Sequence, residues 1–143
     1  MDRATLRAFM ASQRYGVLSS LSPQGTPQSA LVGISISPAL EIIFDTLNAT
    51  RKYRNLIAQP ACSFVIGGWS REQTMQLEGR AFQPQGTELD HFREVYFHDW
   101  PDGRERVHWP GLVHLVVRPV WIRYSDFDQR PPFILESSIE DLL

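Results

Sequence analysis

The residues best suited to chemistry lie in one short segment, where a strand is predicted to end and a helix to begin. Arg51, Lys52 and Arg54 fall in the first turn of that helix, and Thr46 and Thr50 supply hydroxyls just before it. Cations at the positive amino end of a helix cost up to ~1 kcal/mol each, whereas free backbone N–H groups stabilise an anion bound there. The segment therefore predicts a phosphate-binding cradle. The alternative is a solvated helix start whose arginines extend into water.

Lys52 is the only lysine among the fourteen basic residues of the chain. An arginine-rich genome explains the arginines, and chance is the competing explanation for the single lysine. A lysine ammonium is a compact charge with three rotatable donors, which suits a terminal phosphate approached from one side. We therefore expect Lys52 to contact a phosphate group.

Metal and nucleophile chemistry have little support in the sequence. The histidines, His91, His98, His108 and His114, lack the one-turn spacing of paired helical ligands, and Cys62 is the only cysteine. We expect no metal site, and a packed thiol in the apolar run around Cys62. With no partner for a disulfide, a reducing compartment is expected.

Composition sets further limits on partners. The chain has 143 residues, of which 43% are hydrophobic and 21% charged, as in one soluble globular domain. A formal charge of −2 provides no cationic field, so we expect neither nucleic acid nor a membrane as a partner. No segment approaches the ~18 apolar residues of a membrane span, and the start lacks the apolar stretch of a signal peptide. A cytoplasmic location follows as the expectation.

Periodicity and turn residues predict a mainly β domain with short helices. Asp2 is expected to cap a first helix, and Thr87 to open a capping box for a later one. The predicted strands cover 15–21, 28–37, 41–46, 61–67, 73–82, 112–117 and 120–124, and further helices cover 51–58 and 87–97. Short connections predict an antiparallel meander for the first three strands, and about six antiparallel strands favour a small barrel.

The end of the chain is predicted to behave differently from the rest. The segment after Asp126 carries Pro131 and Pro132 and ends in acidic residues. We expect it to be mobile or to lie on a partner. The chain is therefore divided into a domain over 1–127 and an acidic tail over 128–143.

Several motifs follow one another along the chain in a recognisable order. They are Gly25-x-Pro27, the strand to Val32, Phe44-x-Thr46, Thr50-Arg51-Lys52-x-x-Asn55-Leu56, Gln59-Pro60 and Leu77-Glu78-Gly79-x-Ala81. This set resembles the pyridoxamine 5′-phosphate oxidase-like, FMN-binding split-barrel superfamily, from about Leu6 to Phe127. The stretch Arg118-Pro119-x-Trp121-Ile122-Arg123-Tyr124-Ser125-Asp126 resembles a subgroup of small members, most without an assigned reaction.

The resemblance implies a six-stranded antiparallel Greek-key split barrel that forms a homodimer with two FMN sites at its interface. It implies that Arg51 and Lys52 bind the FMN phosphate with help from Thr46, and that Thr74 reaches the polar edge of the flavin ring. Gln76 points to the same face as Thr74 because strand side chains alternate. From its type alone, Trp121 is either core or a platform for a planar ligand. The expected cofactor-binding residues are Ala30, Leu31, Val32, Thr46, Thr50, Arg51, Lys52, Thr74, Gln76 and Trp121.

Two positions depart from the superfamily pattern. An arginine on the second strand is replaced by Ala30, and a glutamine on the fifth strand by Thr74. The biosynthetic oxidase also has a C-terminal segment with His and Arg that is not found here, so we do not expect vitamin B6 synthesis.

The first functional hypothesis is an FMN-dependent oxidoreductase acting on a small-molecule substrate or electron donor. The second is a non-enzymatic flavin sensor or carrier. The third keeps the barrel but changes the ligand to a deazaflavin or to haem, which requires an axial ligand such as one of the four histidines.

Overall fold

A computed structural model describes residues 1–142. Its helices are α1 (Arg3–Ala11), α2 (Arg51–Ala58), α3 (Gly86–Asp99) and α4 (Gly103–Arg106). Its strands are β1 (Tyr15–Leu21), β2 (Pro27–Gly33), β3 (Ser35–Ile36), β4 (Ile42–Leu47), β5 (Ala61–Gly67), β6 (Gln73–Phe82), β7 (Leu112–Asp126) and β8 (Phe133–Ser138).

The strands form one antiparallel sheet in the order β2-β1-β5-β6-β7-β4-β3, with β8 paired to β7. The predicted mainly β architecture with flanking helices is confirmed, with eight strands instead of about six. The predicted strand over 28–37 is interrupted at Ile34 and becomes β2 and β3. Helix α3 begins at Gly86 without a side-chain cap, so the capping box expected at Thr87 is wrong.

The predicted meander of the first three strands is confirmed only in part, because the segment over 28–37 pairs with both of its neighbours, but through two separate strands, β2 and β3. β1 and β2 form a hairpin, but β4 pairs with β7 and not with β2. After the break at Ile34 the chain continues into a second hairpin, in which Ser37 Oγ accepts hydrogen bonds from the backbone N–H groups of Ala39 and Glu41. The break at Ile34 thus takes the chain to the other end of the sheet, so β2 and β3, adjacent in sequence, lie at opposite ends of the strand order.

β7 continues through Pro119, where the sequence predicts two separate segments. The register between β6 and β7 shifts at Glu78 and Gly79, which face Trp121 and Pro119 respectively. Val120 is therefore the extra residue of a β-bulge, and a bulge tolerates a proline that cannot donate to the ladder. Gly79 is required beside it, because a Cβ there would lie 2.5 Å from the carbonyl oxygen of Arg118.

The predicted tail contains strand β8, which lies at the edge of this region. β8 pairs with β7 over Trp121–Asp126, and Phe133 and Leu135 pack against the main core. Alternating apolar residues let this segment cover an otherwise unpaired strand edge. Leu143, the last residue of the predicted tail, lies outside the described residues.

Two groups of buried side chains hold the elements together. The main core lies between the inner faces of the strands and helices α1 and α2, and it includes Leu18, Phe44 and Phe64. A smaller cluster under α3 joins Tyr96 to Val116, with Ile43, Phe92 and Phe97 completing it. Over the described residues, no helix is long and apolar enough to cross a membrane.

Candidate functional site

Helix α2 begins with a side-chain cap that fixes its amino end against β4. Thr50 Oγ1 accepts a hydrogen bond from the N–H of Tyr53 at 3.4 Å and donates one to the carbonyl of Leu47 at 2.9 Å. Thr46 Oγ1 lies 3.0 Å from Thr50 Oγ1 and is buried. Because the Thr50 proton is directed to Leu47, the hydroxyl of Thr46 is the donor to Thr50. Thr46 therefore holds the Thr50 side chain in the position that caps α2.

A groove of about 540 Å³ opens beside this helix start. We call it the α2 groove. It is lined by Leu18, Ser20, Gln28, Ser29, Ala30, Thr50, Arg51 and Lys52. Arg51 is exposed and Lys52 half-buried, and no carboxylate pairs with either side chain anywhere in residues 1–142. Two unpaired cations thus stand at the positive end of a helix, over a partly apolar groove.

The floor of the α2 groove is polar, although it lies against the core. Ser20 on β1 and Gln28 on β2 face each other in the sheet. Asn55, on the buried side of α2, donates through Nδ2 to Ser20 Oγ at 3.1 Å and to Gln28 Oε1 at 2.6 Å. Ser20 and Gln28 were not predicted as site residues. The indication in the sequence was a polar residue two positions from Leu18 on β1 and another two positions from Ala30 on β2. Residues two apart on a strand share a face, so both polar side chains point inward.

Three other predicted residues line a separate depression on the outward face of the sheet. Thr74, Gln76 and Trp121 surround about 500 Å³, together with Ser63, Phe64, Val65, Leu77 and Glu78. We call it the outward hollow. It shares no lining residue with the α2 groove, so a single chain does not bring the two groups of predicted residues together.

The remaining predicted residues, Leu31 and Val32, point to opposite faces of β2. Leu31 is 59% exposed on the outward face, opposite Val17 of β1. Val17 is in turn opposite Val65 of β5, which is also exposed. Val32 belongs to the main core, so its side chain is directed away from the outward face.

The histidines lie away from both depressions. His114 on β7 is buried under α3, where Arg93 Nε donates to its Nδ1 at 3.4 Å and the ring of Tyr96 packs edge-on against it. Burial lowers the pKa of His114 to about 4, opposed by the charge of Asp45 and reinforced by the cations Arg93 and Arg106. No histidine of the described chain lines the α2 groove or the outward hollow.

Metal and thiol chemistry have no geometric basis in the part of the chain that the structure describes. It contains no group of three or more His, Cys, Asp or Glu side chains able to hold a metal ion. Cys62 is half-buried, and burial raises the pKa of its thiol to about 12. The thiolate needed for nucleophilic attack is therefore scarce at neutral pH.

The comparisons with known proteins concern both sequence and fold. A sequence model of the family described as pyridoxamine 5′-phosphate oxidase matches residues 3–126. No curated protein sequence matches the chain. A haem-binding protein from Mycobacterium smegmatis superimposes with a TM-score of 0.81 at 20% identity, over 94% of this chain and 56% of that one. The chain thus spans little more than half the length of that protein.

Two further structures share the fold over most of both chains. A pyridoxamine 5′-phosphate oxidase-related, FMN-binding protein from Nostoc punctiforme gives a TM-score of 0.69 at 12% identity, over 92% of this chain and 87% of that one. A structure named F420 reductase gives a TM-score of 0.62 at 20% identity, over 81% and 94%. Such identities show a common fold alone, whereas the family match covers most of the sequence. The chain therefore belongs to the pyridoxamine 5′-phosphate oxidase-like family of split barrels.

Proposed function

We propose that the chain binds FMN with its phosphate in the α2 groove. The observation that carries the proposal is the unpaired Arg51 and Lys52 at the amino end of α2, beside a groove large enough for an organic ligand. A phosphate would neutralise both cations and accept hydrogen bonds from the free N–H groups of the first helical turn. The name of the N. punctiforme relative supports FMN as the ligand that brings this phosphate.

In the proposed site, different residues of the α2 groove supply charge, helix capping and apolar contact. Lys52 and Arg51 supply charge, while Thr50 fixes the direction of the helix start through its cap. Ala30, which is half-buried on the wall of the groove, supplies a small apolar contact beside these groups. When bound, FMN supplies hydride or electron transfer, and the protein positions it against a small-molecule substrate or electron donor.

We propose further that two copies of the chain form a homodimer through the outward face of the sheet. Leu31 and Val65 are large apolar side chains exposed there, and Val17 lies between them in the register. A second copy on this face would cover them and exclude water from apolar surface. It would also carry its own Thr74, Gln76 and Trp121 towards the first copy, which supports placing the flavin ring at the interface.

Among the alternative ligands, haem has the least support from the site residues. Haem iron needs an axial ligand, and no imidazole of the described residues faces the α2 groove or the outward hollow. The M. smegmatis relative, named for haem binding, is matched over 56% of its length. A deazaflavin, as the name F420 reductase suggests, is the second candidate because it is also planar.

The proposal is tested by the absorbance spectrum of the purified protein and by equilibrium titration with FMN and riboflavin. We expect a flavin spectrum and at least about tenfold tighter binding of FMN, since riboflavin lacks the phosphate. Equal affinity for the two flavins, or no binding at high micromolar FMN, would contradict the phosphate site. Turnover of a reduced nicotinamide with oxygen or a dye separates an enzyme from a carrier. Sedimentation with FMN should give twice the mass of one chain.

A further inference from the structure

The polar floor of the α2 groove has a fixed direction of hydrogen bonding. Asn55 is only 4% exposed and projects from α2 onto the β1–β2 hairpin. Its amide nitrogen carries two hydrogens, and both are used, one for Ser20 Oγ and one for Gln28 Oε1. Ser20 and Gln28 therefore act as acceptors towards the protein interior.

This arrangement determines what the two side chains present to the groove. Because Gln28 Oε1 faces Asn55, the Nε2 group of the same amide is directed away from it, and it bonds to no other group within residues 1–142. Because Ser20 Oγ already accepts a hydrogen bond, its own proton is free to be donated elsewhere. Both side chains line the groove that also contains Lys52. The floor thus offers N–H and O–H donors beside a cation.

We infer that Asn55 is a positioning residue that makes Gln28 and Ser20 hydrogen-bond donors to the phosphate ester of the bound ligand. The inference rests on the proposed function and deepens it, since it assigns recognition of the anion to the sheet as well as to the helix. Gln28 lies on the same strand face as Ala30, two residues along β2. A neutral donor on the strand complements the cations on the helix.

The direct test replaces Gln28 by methionine, which keeps the length of the side chain and removes its amide. We expect Gln28→Met to weaken FMN about tenfold and riboflavin less than about twofold, because a hydrogen bond to a charged group is lost. Gln59→Met, at the exposed far end of α2, is the matched control and should change neither affinity. Equal losses for the two flavins, or no loss, would overturn the role of Gln28.

The role of Asn55 is tested by a double-mutant cycle. In Asn55→Asp the carboxylate only accepts, so Gln28 turns its amide to donate inwards and presents its carbonyl to the phosphate. We expect a loss of FMN affinity of about thirtyfold in the wild-type background, and of less than about tenfold in the Gln28→Met background. A purely electrostatic effect of the new charge gives the same loss in both backgrounds and would overturn the positioning role.

The outcomes separate this inference from the proposed function. If the wild-type chain prefers FMN and the Gln28→Met and Asn55→Asp variants lose no selectivity, the inference alone fails. If the wild-type chain binds FMN no better than riboflavin, the proposed function fails and the inference with it. Should Asn55→Asp not fold, Ser20→Ala provides a second test: FMN affinity is expected to fall severalfold with riboflavin affinity unchanged, and an unchanged ratio of the two would contradict the donor floor.

Discussion

Two neighbouring residues of β4, Asp45 and Thr46, contact two polar regions that differ in whether their cations are paired with carboxylates. The side chain of Thr46 contacts Thr50, the cap of α2, and Thr50 lines the α2 groove, whose cations have no carboxylate partner in the described chain. The side chain of Asp45 faces the helices on the other side, where Arg106 Nε donates to it at 2.8 Å. Arg106 also bonds Asp102 and the hydroxyl of Tyr96, and we call this second region the paired cluster.

The two regions differ in what neutralises their positively charged side chains. In the paired cluster, carboxylates of the protein neutralise the charge of Arg106. Burial lowers the pKa of Arg106, but its hydrogen bonds to Asp45 and Asp102 outweigh that effect and raise the pKa above its usual value. At the start of α2 the protein supplies further positive potential instead. An arginine satisfied by two carboxylates serves the fold, whereas cations left unpaired at a helix start are available to a ligand. Four measurements test this contrast.

The largest effect is expected from Asp45→Ala in the paired cluster. Removing this carboxylate leaves the largely buried charge of Arg106 with Asp102 as its one carboxylate partner in the described chain, and should lower the free energy of unfolding by about 3 to 4 kcal/mol. Asp102→Ala is the control, since Asp102 is 63% exposed and its loss should cost less than about 1 kcal/mol. Denaturant unfolding measures both. Similar costs for the two variants would contradict the claim that burial makes the Asp45 contact decisive.

The pH dependence of stability should report on His114, which adjoins the paired cluster. The unfolded chain protonates this imidazole below its ordinary pKa of 6.5, and the folded chain only below about 4. The unfolded state therefore binds more protons between these values, so stability falls with falling pH, by about 3 kcal/mol at pH 4. His114→Phe should flatten this part of the curve relative to the wild type. Parallel curves for the two proteins would show that another group is responsible.

In the α2 groove, Lys52→Ala should affect ligand affinity and leave stability nearly unchanged. We expect FMN to bind about 10- to 30-fold more weakly and riboflavin within about twofold of the wild type, because the proposed site places the phosphate against this lysine. Arg130→Ala removes the same charge from an exposed position, and its side chain has no ion pair in the structure as described. If both variants weaken FMN equally, net charge and not the cradle explains the loss.

The smallest effect is expected where pairing occurs on the surface. Arg104 contacts Glu94 at 3.4 Å, but the two side chains are 58% and 68% exposed. Glu94→Ala should therefore change the free energy of unfolding by no more than about 0.5 kcal/mol in thermal or denaturant unfolding. A cost above about 1 kcal/mol would mean that pairing alone, without burial, stabilises this protein.

Elements with clear local sequence patterns were predicted well, whereas pairings between distant parts of the chain were not. β1, α2, β5 and β6 have the predicted bounds because each combines a clear period with a turn residue, proline or cap at its ends. The partner of β4 could not be predicted, since β7 lies some seventy residues further along the chain. β8 was missed because Pro131 and Pro132 indicated a tail, while its apolar alternation is only six residues long.

The candidate site shows the same division. Thr50, Arg51 and Lys52 were predicted from one contiguous motif, and the structure places all three around one groove. Gln28 and Ser20 were not, because their role depends on Asn55 reaching across from a helix to a hairpin. Val32 was expected among the cofactor-binding residues from the resemblance alone; its side chain belongs to the main core, and its contact with a cofactor stays a prediction.

The length of β7 has a consequence for the motions of the molecule. β6 pairs along one edge of it over Val116–Asp126, while β4 and then β8 pair along the other. In a strand paired on both edges, amides donate to one neighbour or the other, so their exchange needs an opening of the sheet that approaches global unfolding. β2, by contrast, is the terminal strand of the sheet and carries one wall of the α2 groove. Its amides should exchange through local opening, and a ligand bound there would slow exchange on β2; exchange on β7 would also slow, because global unfolding releases the ligand.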